Sequence, residues 1–450
     1  MSASSARAMT RRAWLVFSLL TLCYALVSFF RTSTSTLAVD IMREFGVGGG
    51  LMSVMSSAYF YPYGFMQIPA GILSDRWGSR NTIASFLLVG AAGAMLFGLS
   101  ASVGAAACGR VLIGAGMGMV FVPALRVILH WFPPARHALG TGLILSLGTG
   151  GMLLATYPLM LLSQAVGWRG SMFAAAGVTV LAAAATWLWV RNRPQEAGYA
   201  PAWVPLSPQK QAAPPLRQSL LRIVRSRTYW SVSIWFFCMY GSFYALTGLW
   251  AGPYFIQGYG LDKGAAGGIL FCLALGAVLG PSLIGAAATW ARCSKGALLL
   301  GASGVTLILA SPLLAARPLL PAALLPAWSL LFGIFCGGFG GIALTKVQED
   351  FPPEIVGTAT GMINIYSYLG TALLQLASGW IMEAQAPGRD AYPIEQYASM
   401  FLLFLIMFAV AFAASFLGLG GRKAPSPGLL PPLEKGGEPW AAAPGGSEES

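Results

Sequence analysis

Long apolar runs separated by short polar or charged breaks make up most of this chain of 450 residues. A helix needs about 20 predominantly apolar residues to cross the hydrocarbon core of a bilayer. The breaks divide the chain into runs of about that length, which we number as predicted spans 1 to 12. Their bounds are 13–38, 50–72, 81–102, 103–129, 138–162, 168–191, 228–257, 264–288, 296–314, 322–348, 353–383 and 396–418.

The composition fits this pattern. Only 9% of the residues are charged and 56% are hydrophobic, which excludes a soluble globular fold. Arg7, Arg11 and Arg12 precede the first apolar run, as basic residues do in a signal peptide. The run continues through Val39 without the small-residue pattern of a cleavage site, so we interpret it as a first membrane-spanning helix.

A polar, Pro-rich stretch at 192–227 separates the spans into two groups of six and is typical of a linker. The other predicted regions are a cytoplasmic N-terminal segment (1–12), a first six-helix bundle (13–191), a second (228–418) and a cytoplasmic tail (419–450). The tail is rich in Pro and Gly, so we predict that it is disordered.

The two groups of spans share a short repeat. Its first copy is Phe132-Pro133-Pro134 followed by Thr141-Gly142, and 219 residues later the second is Phe351-Pro352-Pro353 followed by Thr360-Gly361. Tandem halves of equal length are typical of parallel repeats related by an axis along the membrane normal.

Positive charge is distributed unevenly over the predicted loops. If the N-terminus is cytoplasmic, most of the 27 Lys and Arg residues lie in inner loops and tails. The outer loops hold only Arg43, Arg169, Lys263, Arg317 and Arg389. This asymmetry predicts that both termini are cytoplasmic. The net charge of +12 is therefore interpreted as an orientation signal facing anionic lipid, and no nucleic-acid binding is expected because the basic residues are scattered.

The charged turn between spans 2 and 3 carries the most specific motif. It reads Gly71-Ile-Leu-Ser-Asp75-Arg76-Trp-Gly78-Ser-Arg80. This pattern and its position resemble the cytoplasmic loop between the second and third helices of the major facilitator superfamily. The resemblance covers roughly residues 13 to 418 and supports the division of spans 3 and 4 at the weak turn around 100–104. It implies an all-α membrane protein with twelve transmembrane helices in two pseudo-symmetric six-helix bundles, acting as a secondary transporter.

In that family the loop is a conformational latch, and the resemblance implies this role for Gly71, Asp75, Arg76, Gly78 and Arg80. Asp75 would lie near the N-terminus of span 11, where the helix dipole and unpaired N–H groups favour a carboxylate. This contact between the halves would exist only when the inner side is closed. The alternative is a solvated turn whose arginines only set the topology. The corresponding loop of the second half has no acid, so we expect a latch on one side only.

Arg31, well inside span 1, is the strongest indication of a substrate. A cation at such depth is unfavourable unless it is paired or faces water. Tyr24, Ser28, Arg31 and Ser35 form one polar stripe at helical spacing. No Asp or Glu lies in the middle of any predicted span, so an arriving anion is the simplest partner. Guanidinium binds carboxylate, phosphate or sulfonate through two parallel hydrogen bonds.

Arg110 in span 4 is predicted at comparable depth. The resemblance implies that spans 1, 4, 7 and 10 line a central cavity, so both guanidinium groups would face one space. The remaining candidates for the substrate site, taken from polar stripes on other spans or on span 1, are Tyr24, Tyr63, Tyr244, Asn364 and Tyr368. The alternatives are that each arginine bonds carbonyls freed at a helix break, and that the other side chains only join helices.

These observations predict a transporter in the inner membrane of a bacterium that moves a small organic anion by alternating access, as a monomer in the lipid bilayer. The main alternative is an efflux pump for hydrophobic drugs or a siderophore, which is disfavoured because span 5 lacks the Gly-Pro pair of many drug/proton antiporters. A transporter-like receptor that moves nothing is a second alternative. The chain shows no nucleophile–base pair and no metal-ligand spacing among its cysteines and histidines, so no enzyme activity, metal site or cofactor is expected.

Energy coupling is constrained by the same lack of acids. A proton-coupled transporter usually needs a buried group that titrates, commonly a desolvated carboxylate. We therefore expect no coupling through a mid-membrane carboxylate. A proton would have to travel on the substrate or bind near a span end, at Asp40 or Glu383. The other options are anion exchange, sodium coupling and facilitated diffusion.

Overall fold

The computed structural model describes residues 3–133, 136–199, 216–291, 294–314 and 319–419, and within these ranges the chain forms helices and turns without a β-strand. The helices of the N-terminal half are α1 (Ala3–Phe45), α2 (Gly49–Ser57), α3 (Phe60–Arg76), α4 (Ser79–Leu99), α5 (Val103–Gly118), α6 (Phe121–Trp131), α7 (His137–Thr149), α8 (Gly151–Leu154) and α9 (Tyr157–Trp189). Helix α10 (Leu216–Val224) lies in the linker.

The C-terminal half contains α11 (Arg227–Trp235), α12 (Gly241–Ala245), α13 (Ala251–Pro253), α14 (Lys263–Ala291), α15 (Lys295–Ala310), α16 (Leu325–Phe332), α17 (Gly340–Asp350), α18 (Pro353–Gln385) and α19 (Ile394–Leu419). Four π-helical turns connect some of these helices, at Phe236–Tyr240, Leu246–Trp250, Tyr254–Gly258 and Gly333–Gly337.

The helices follow the predicted spans in position. Nine helical stretches among the described residues are long and apolar enough to cross a membrane, and one of them, Leu139–Trp189, contains predicted spans 5 and 6. The division between these two spans is Gly167, whose φ of 74° and ψ of 168° break α9 internally. Spans 2 and 11 correspond to α2 with α3 and to α18, which are not among the nine stretches. The fold is therefore an all-α, multi-pass membrane architecture.

Glycines allow neighbouring helices to approach closely in both halves. A Cβ on Gly116 of α5 would lie 2.5 Å from the backbone nitrogen of Gly90 on α4. A Cβ on Gly276 of α14 would lie 2.1 Å from the carbonyl oxygen of Leu330 on α16. Small residues at such crossings favour helix association in membranes because they permit backbone-to-backbone packing.

The linker is partly ordered. Its first residues form a short 3₁₀ turn at Pro194–Ala197, and the side chain of Asn192 accepts a hydrogen bond from the backbone nitrogen of Arg80 at 2.9 Å. Helix α10 follows before α11, so the predicted polar linker includes helical structure at both ends. Residues 200–215 of this linker and the predicted tail from 420 onward lie outside the described residues.

The two halves are joined at the end of the bundle where α1 terminates, which we call the predicted outer face. There, the backbone nitrogen of Gly49 donates to Tyr392 Oη at 2.7 Å and that of Gly50 donates to Glu383 Oε2 at 3.2 Å. Deeper in the membrane, the backbone nitrogen of Gly252 donates to Ser35 Oγ at 2.9 Å. These contacts join the N-terminal half to the C-terminal half above the site described next.

Candidate functional site: a buried guanidinium among tyrosines

Arg31 lies within α1 at the junction of the two halves. Its residue is only 5% exposed, and its guanidinium carbon lies 5.4 Å from the ring centre of Tyr63 on α3. From the other half, Tyr244 on α12 and Tyr368 on α18 place their ring centres 5.0 and 5.8 Å from the same carbon. We call these three side chains the tyrosine cage. The cage attracts the cation through the negative faces of its rings.

The N–H groups of Arg31 are satisfied in part by tyrosine hydroxyls, including those of Tyr24, Tyr63 and Tyr244. Nη2 donates to the hydroxyl of Tyr63 at 3.4 Å, a long bond, and Nε is buried without a partner. A guanidinium carries five N–H donors in a planar fork. Arg31 takes part in none of the ion pairs found among the described residues. Within the described part of the chain, this buried positive charge therefore has tyrosine hydroxyls but no carboxylate as partners, and its Nε–H is free.

The aromatic surroundings of Arg31 extend in both halves. The rings of Tyr63 and Tyr368 lie 4.6 Å apart across the junction, and Tyr240 packs against Tyr244 at 5.7 Å. Tyr24 lies on the same face of α1 as Arg31, and its ring centre is 5.0 Å from that of Phe121. The hydroxyl of Tyr24 is close enough to Arg31 for a polar interaction. The predicted candidates Tyr24, Tyr63, Tyr244 and Tyr368 are thus brought together around the guanidinium.

Arg110 is buried as deeply as Arg31, at 2% exposure, but its surroundings are different. Its Nη1 donates to the carbonyl oxygen of Phe30 at 2.8 Å, and its Nη2 donates to that of Ser56 at 3.4 Å. Its guanidinium carbon also lies 4.9 Å from the ring centre of Tyr59. Ser56 precedes the break between α2 and α3, so Arg110 bonds a carbonyl beside a helix interruption. These contacts fit the structural alternative for Arg110.

Asn364 and Gln375 lie on the same helix as Tyr368. Asn364 lies half-buried on α18, one turn before Tyr368, and its side chain makes no hydrogen bond to Arg31 within the part of the chain that the structure describes. Gln375, two turns beyond Tyr368, is fully buried, donates to the carbonyl oxygen of Tyr244 at 3.4 Å and leaves its own Oε1 without a partner.

Two residues near the site were not among the predicted site residues. Gln375 shares a polar stripe with Tyr368 in the sequence, so its helical spacing was the available signal. Tyr59 stacks on Tyr63 at 5.5 Å and donates to the carbonyl oxygen of Val27 at 3.3 Å, which links α1 to the turn that precedes α3. The four-residue spacing of Tyr59 and Tyr63 could have indicated this stack.

The charged turn lies at the opposite end of the bundle, the predicted inner face. Asp75 is exposed and forms an ion pair with Arg126 on α6 of its own half. Gly78 has a φ of 81°, and a Cβ there would lie 2.7 Å from the side-chain nitrogen of Asn192. Arg80 stacks over Trp187 at 5.2 Å. Gly78 and Arg80 thus contact Asn192 at the start of the linker. Gly71 has open space beside it, and Arg76 is exposed.

No group of three or more His, Cys, Asp or Glu side chains among the described residues could hold a metal ion. Arg31 and the tyrosine cage offer hydrogen bonding and electrostatic attraction to a solute.

Comparison with known proteins is consistent with this geometry. The profile of the Major Facilitator Superfamily matches residues 20–375. A bacterial homologue of the human lysosomal transporter Spinster, solved in an inward-facing, unoccupied conformation, superimposes with a TM-score of 0.75 at 19% identity, over 92% of this chain and 99% of that one. At this identity the likeness supports the fold alone.

Three curated relatives are similar in sequence. A probable galactarate/D-glucarate transporter of Bacillus subtilis is 24% identical over 91% of this chain and 92% of its own length. A probable sulfoacetate transporter of Cupriavidus necator is 25% identical, but the match spans only 37% of this chain and 39% of that protein. A membrane sensor protein of Salmonella typhimurium is 25% identical over 79% of this chain and 81% of its own length.

Proposed function

Because the chain belongs to the Major Facilitator Superfamily, and is therefore a multi-pass membrane transporter and not an enzyme, we propose that it moves a small organic anion by alternating access. Arg31 is the proposed anion-binding group. The substrate class is a carboxylate, sulfonate or phosphate, each of which matches the planar fork of a guanidinium. We place both termini on the cytoplasmic side of a bacterial inner membrane, as the distribution of Lys and Arg favours.

One observation carries the proposal: Arg31 is a buried charge without a counter-ion at the junction of the halves. Desolvating a charge is unfavourable unless it is paired. An anion from solution would supply both the opposite charge and acceptors stronger than the tyrosine hydroxyls, including one for the free Nε–H. The hydroxyl groups of the tyrosine cage could donate further hydrogen bonds to the same anion. The site is thus complementary to a ligand that carries negative charge.

The cage also suggests how binding is linked to movement of the halves. Arg31 and Tyr63 come from the N-terminal half, whereas Tyr244 and Tyr368 come from the C-terminal half. An anion held between them would contact both halves near the middle of the membrane, where transporters of this architecture bind their substrates. Rocking of the halves around the bound anion would then expose it to either side.

The names of two relatives support the anion class. Galactarate and D-glucarate are dicarboxylates, and sulfoacetate carries a sulfonate and a carboxylate. All three share groups that a guanidinium binds through two parallel hydrogen bonds. The similarity to these relatives is about one residue in four, so it supports a chemical class and not a particular compound.

The two alternatives make different demands on Arg31. An exporter of hydrophobic compounds needs this guanidinium held by structural hydrogen bonds, as Arg110 is by two backbone carbonyls, whereas Arg31 is surrounded by tyrosine hydroxyls and rings from both halves. A sensor, as one relative is named, would bind the anion without moving it. The sensor alternative therefore shares the binding site and differs only in transport.

The test combines binding and transport by the purified protein. Carboxylates, sulfonates and phosphates are screened for binding in detergent, and those that bind are then measured for uptake into proteoliposomes. We expect Arg31→Gln to weaken anion binding by about 100-fold or more, since it removes a charge-assisted bidentate pair. The control is Arg43→Gln, an exposed arginine on the same helix, which should bind normally. Normal binding and uptake by Arg31→Gln would refute the proposal, and binding without uptake would indicate a sensor.

A further inference from the structure

An open groove lies at the predicted inner face, between the linker helix α10 and the turn that joins α17 to α18. Its volume is about 550 Å³, and it shares no residue with the tyrosine cage. Helix α10 contributes a polar wall to this groove, and the turn contributes the opposite wall. The lining residues that matter here are Gln218, Arg222 and Arg225 of α10, and Asp350, Phe351 and Pro352 of the turn.

The polar wall of the groove comes from one face of α10. Gln218, Arg222 and Arg225 follow one another at intervals of four and three residues, so their side chains leave the helix on the same side. Both arginines are exposed, and neither takes part in an ion pair found among the side chains that the structure describes. The groove therefore holds two positive charges that are available to a ligand.

One acidic residue, Asp350, also lines the groove, but its charge is already compensated. Its Oδ2 accepts a hydrogen bond from Thr228 Oγ1 at 2.6 Å and lies 3.2 Å from Lys346 Nζ. Since the ammonium group of Lys346 offsets the carboxylate of Asp350, the lining keeps the positive charge of its two arginines. The groove is thus complementary to an anion.

Beside its arginines, α10 presents apolar side chains that the protein does not cover. Leu221 and Val224 are exposed, whereas Ser219 and Ile223 are buried. Trp230, in the first turns of α11, is also exposed and donates its indole N–H to the carbonyl oxygen of Val224 at 2.8 Å. Arginines next to exposed apolar residues are typical of a helix that lies in the membrane interface, where tryptophan is enriched as well.

From these observations we propose that the groove binds the headgroup of an anionic phospholipid of the inner leaflet. A guanidinium binds phosphate through two parallel hydrogen bonds, and Arg222 and Arg225 could hold one phosphate group between them. The acyl chains would then extend along the exposed Leu221, Val224 and Trp230. A soluble phosphate would use the arginines but not this apolar surface, so a lipid matches more of the site. The site lies apart from the proposed transport of an anion and does not depend on Arg31.

Native mass spectrometry of the purified full-length protein in nonionic detergent tests the site, because it counts the lipids that stay bound. We expect one saturable site for phosphatidylglycerol. Phosphatidylcholine with the same acyl chains should bind about tenfold or more weakly, because its choline cation offsets the phosphate. Replacing both groove arginines (Arg222→Gln with Arg225→Gln) should weaken phosphatidylglycerol binding about tenfold or more, as expected for lost bonds to a charged group. Equal binding of the two lipids, or unchanged binding by the double variant, would overturn the proposal.

The matched control is a second double variant, Arg217→Gln with Arg227→Gln. It removes the same charge from the same region, and both arginines are exposed, but neither lines the groove. We expect phosphatidylglycerol affinity to fall by less than about threefold, because solvent screens an exposed charge that does not contact the headgroup. Equal weakening in the two double variants would show that diffuse positive charge attracts the lipid, and would overturn the groove as its site.

Glycerol 3-phosphate, which carries a phosphate group without acyl chains, distinguishes a soluble ligand from a lipid. Because it could also bind at Arg31, the comparison is made in Arg31→Gln, where phosphatidylglycerol binding should be unchanged. We expect glycerol 3-phosphate to bind about tenfold or more weakly than the lipid, since it buries no apolar surface. Binding of equal strength that also requires Arg222 and Arg225 would identify a soluble phosphate as the ligand and overturn the lipid assignment.

The same variant separates failure of the lipid site from failure of the anion site. Loss of phosphatidylglycerol binding in Arg31→Gln would place the lipid at the tyrosine cage and overturn the groove as its site. If the protein binds organic anions through Arg31 but shows no preference for phosphatidylglycerol, only the lipid site is wrong. If phosphatidylglycerol binds through Arg222 and Arg225 but Arg31→Gln leaves anion binding unchanged, the lipid site stands and only the anion site is wrong.

Discussion

The predicted outer and inner faces of the bundle differ in what holds each of them. At the outer face, the helix ends of one half bind polar groups of the other half: Gly49 and Gly50 at the start of α2 donate to Tyr392 and Glu383. At the inner face, the charged side chains pair within their own half, as Asp75 does with Arg126 and Lys346 does with Asp350. The outer face is thus sealed between the halves, whereas the ion pairs found at the inner face among the described residues each stay within one half.

This difference identifies the state that the structure represents. Transport by alternating access requires that one face closes while the other opens. The contacts between the halves at the outer face belong to a state in which that face is closed. The predicted latch between Asp75 and the N-terminus of α18 belongs to the opposite state, so the contact of Asp75 with Arg126 does not test it. The contacts of α2 with Tyr392 and with the outer end of α18, which we call the outer seal, use the same chemistry with the halves exchanged, since Glu383 of the C-terminal half meets the N-terminus of α2.

The largest change in the balance between outer-closed and outer-open states should come from adding a side chain at the close contact between α18 and α2. A Cβ on Gly379 of α18 would lie 2.1 Å from Ser53 Oγ and 2.5 Å from the carbonyl oxygen of Gly49. We expect Gly379→Ala to destabilise the outer-closed state by about 1–3 kcal/mol, the usual effect of overpacking, and to reduce transport strongly. To measure this change, Met382, a buried residue of the seal, is replaced by a single cysteine (Met382→Cys). Adding Gly379→Ala should increase the alkylation of that cysteine by a polar thiol reagent.

The control for this variant lies on the same helix. Gly361, toward the inner end of α18, has no atom within 4 Å of an added Cβ. Gly361→Ala should leave the alkylation of the cysteine at position 382 unchanged. If both alanine variants change it equally, helix propensity and not the seal is responsible, and the proposed difference between the faces is wrong.

A smaller effect is expected from the carboxylate of the seal. Glu383 accepts from the backbone nitrogen of Gly50 in the other half and from that of Gly388 in its own half at 2.7 Å. Glu383→Gln keeps an acceptor but removes the charge beside the N-terminus of α2, a loss of about 0.3–1 kcal/mol. The equilibrium should shift about two- to fivefold toward outer-open states, measured by the same alkylation. No shift would limit Glu383 to ordering the loop at Gly388.

The predictions from sequence were strongest where chemistry follows helical spacing. Arg31, Tyr24 and the tyrosine pairs could be placed on helix faces because their intervals match a turn of helix, and the structure brings them together. The role of Arg110 depends on Ser56, beside an interruption of span 2 at 58–59; Pro62 in the first turn of α3 was a signal for it, but the sequence does not show which carbonyl a distant arginine will meet. The outer seal joins residues more than 300 positions apart, such as Gly50 and Glu383. Only the packing of the two halves reveals such pairs.

The ion pair between Asp40 and Lys263 also joins the halves near the outer face. Lys263 Nζ lies 2.5 Å from Asp40 Oδ1, and both side chains are partly exposed. Partly exposed pairs contribute about 0.2–1 kcal/mol and weaken with salt. A double-mutant cycle of Asp40→Asn and Lys263→Gln should give a coupling of about twofold in the alkylation equilibrium, smaller at high ionic strength. Additive effects of the two variants would show that the pair does not hold the seal.

The smallest effect is expected at the inner face. In the outer-closed state Asp75 is 59% exposed and pairs with a partly exposed Arg126, so removing its charge there has little effect. In an inner-closed state the predicted contact with the N-terminus of α18 would be lost, at about 0.3–1 kcal/mol. Asp75→Asn should therefore shift the resting population toward inner-open states by about two- to fivefold. Labelling of a single cysteine at Gly361→Cys from the inner side should rise accordingly.

Arg126→Gln separates the latch from the pair that is seen in the structure. If Asp75 acts through the N-terminus of α18, the Arg126 variant removes only the bond within its own half and should not raise the labelling of the cysteine at position 361. If Arg126→Gln and Asp75→Asn raise the labelling equally, the ion pair within the N-terminal half controls the inner face and no latch between the halves is needed. Unchanged labelling in both variants would reduce Asp75 to a residue that sets topology, and the difference between the two faces would then lie in the outer seal alone.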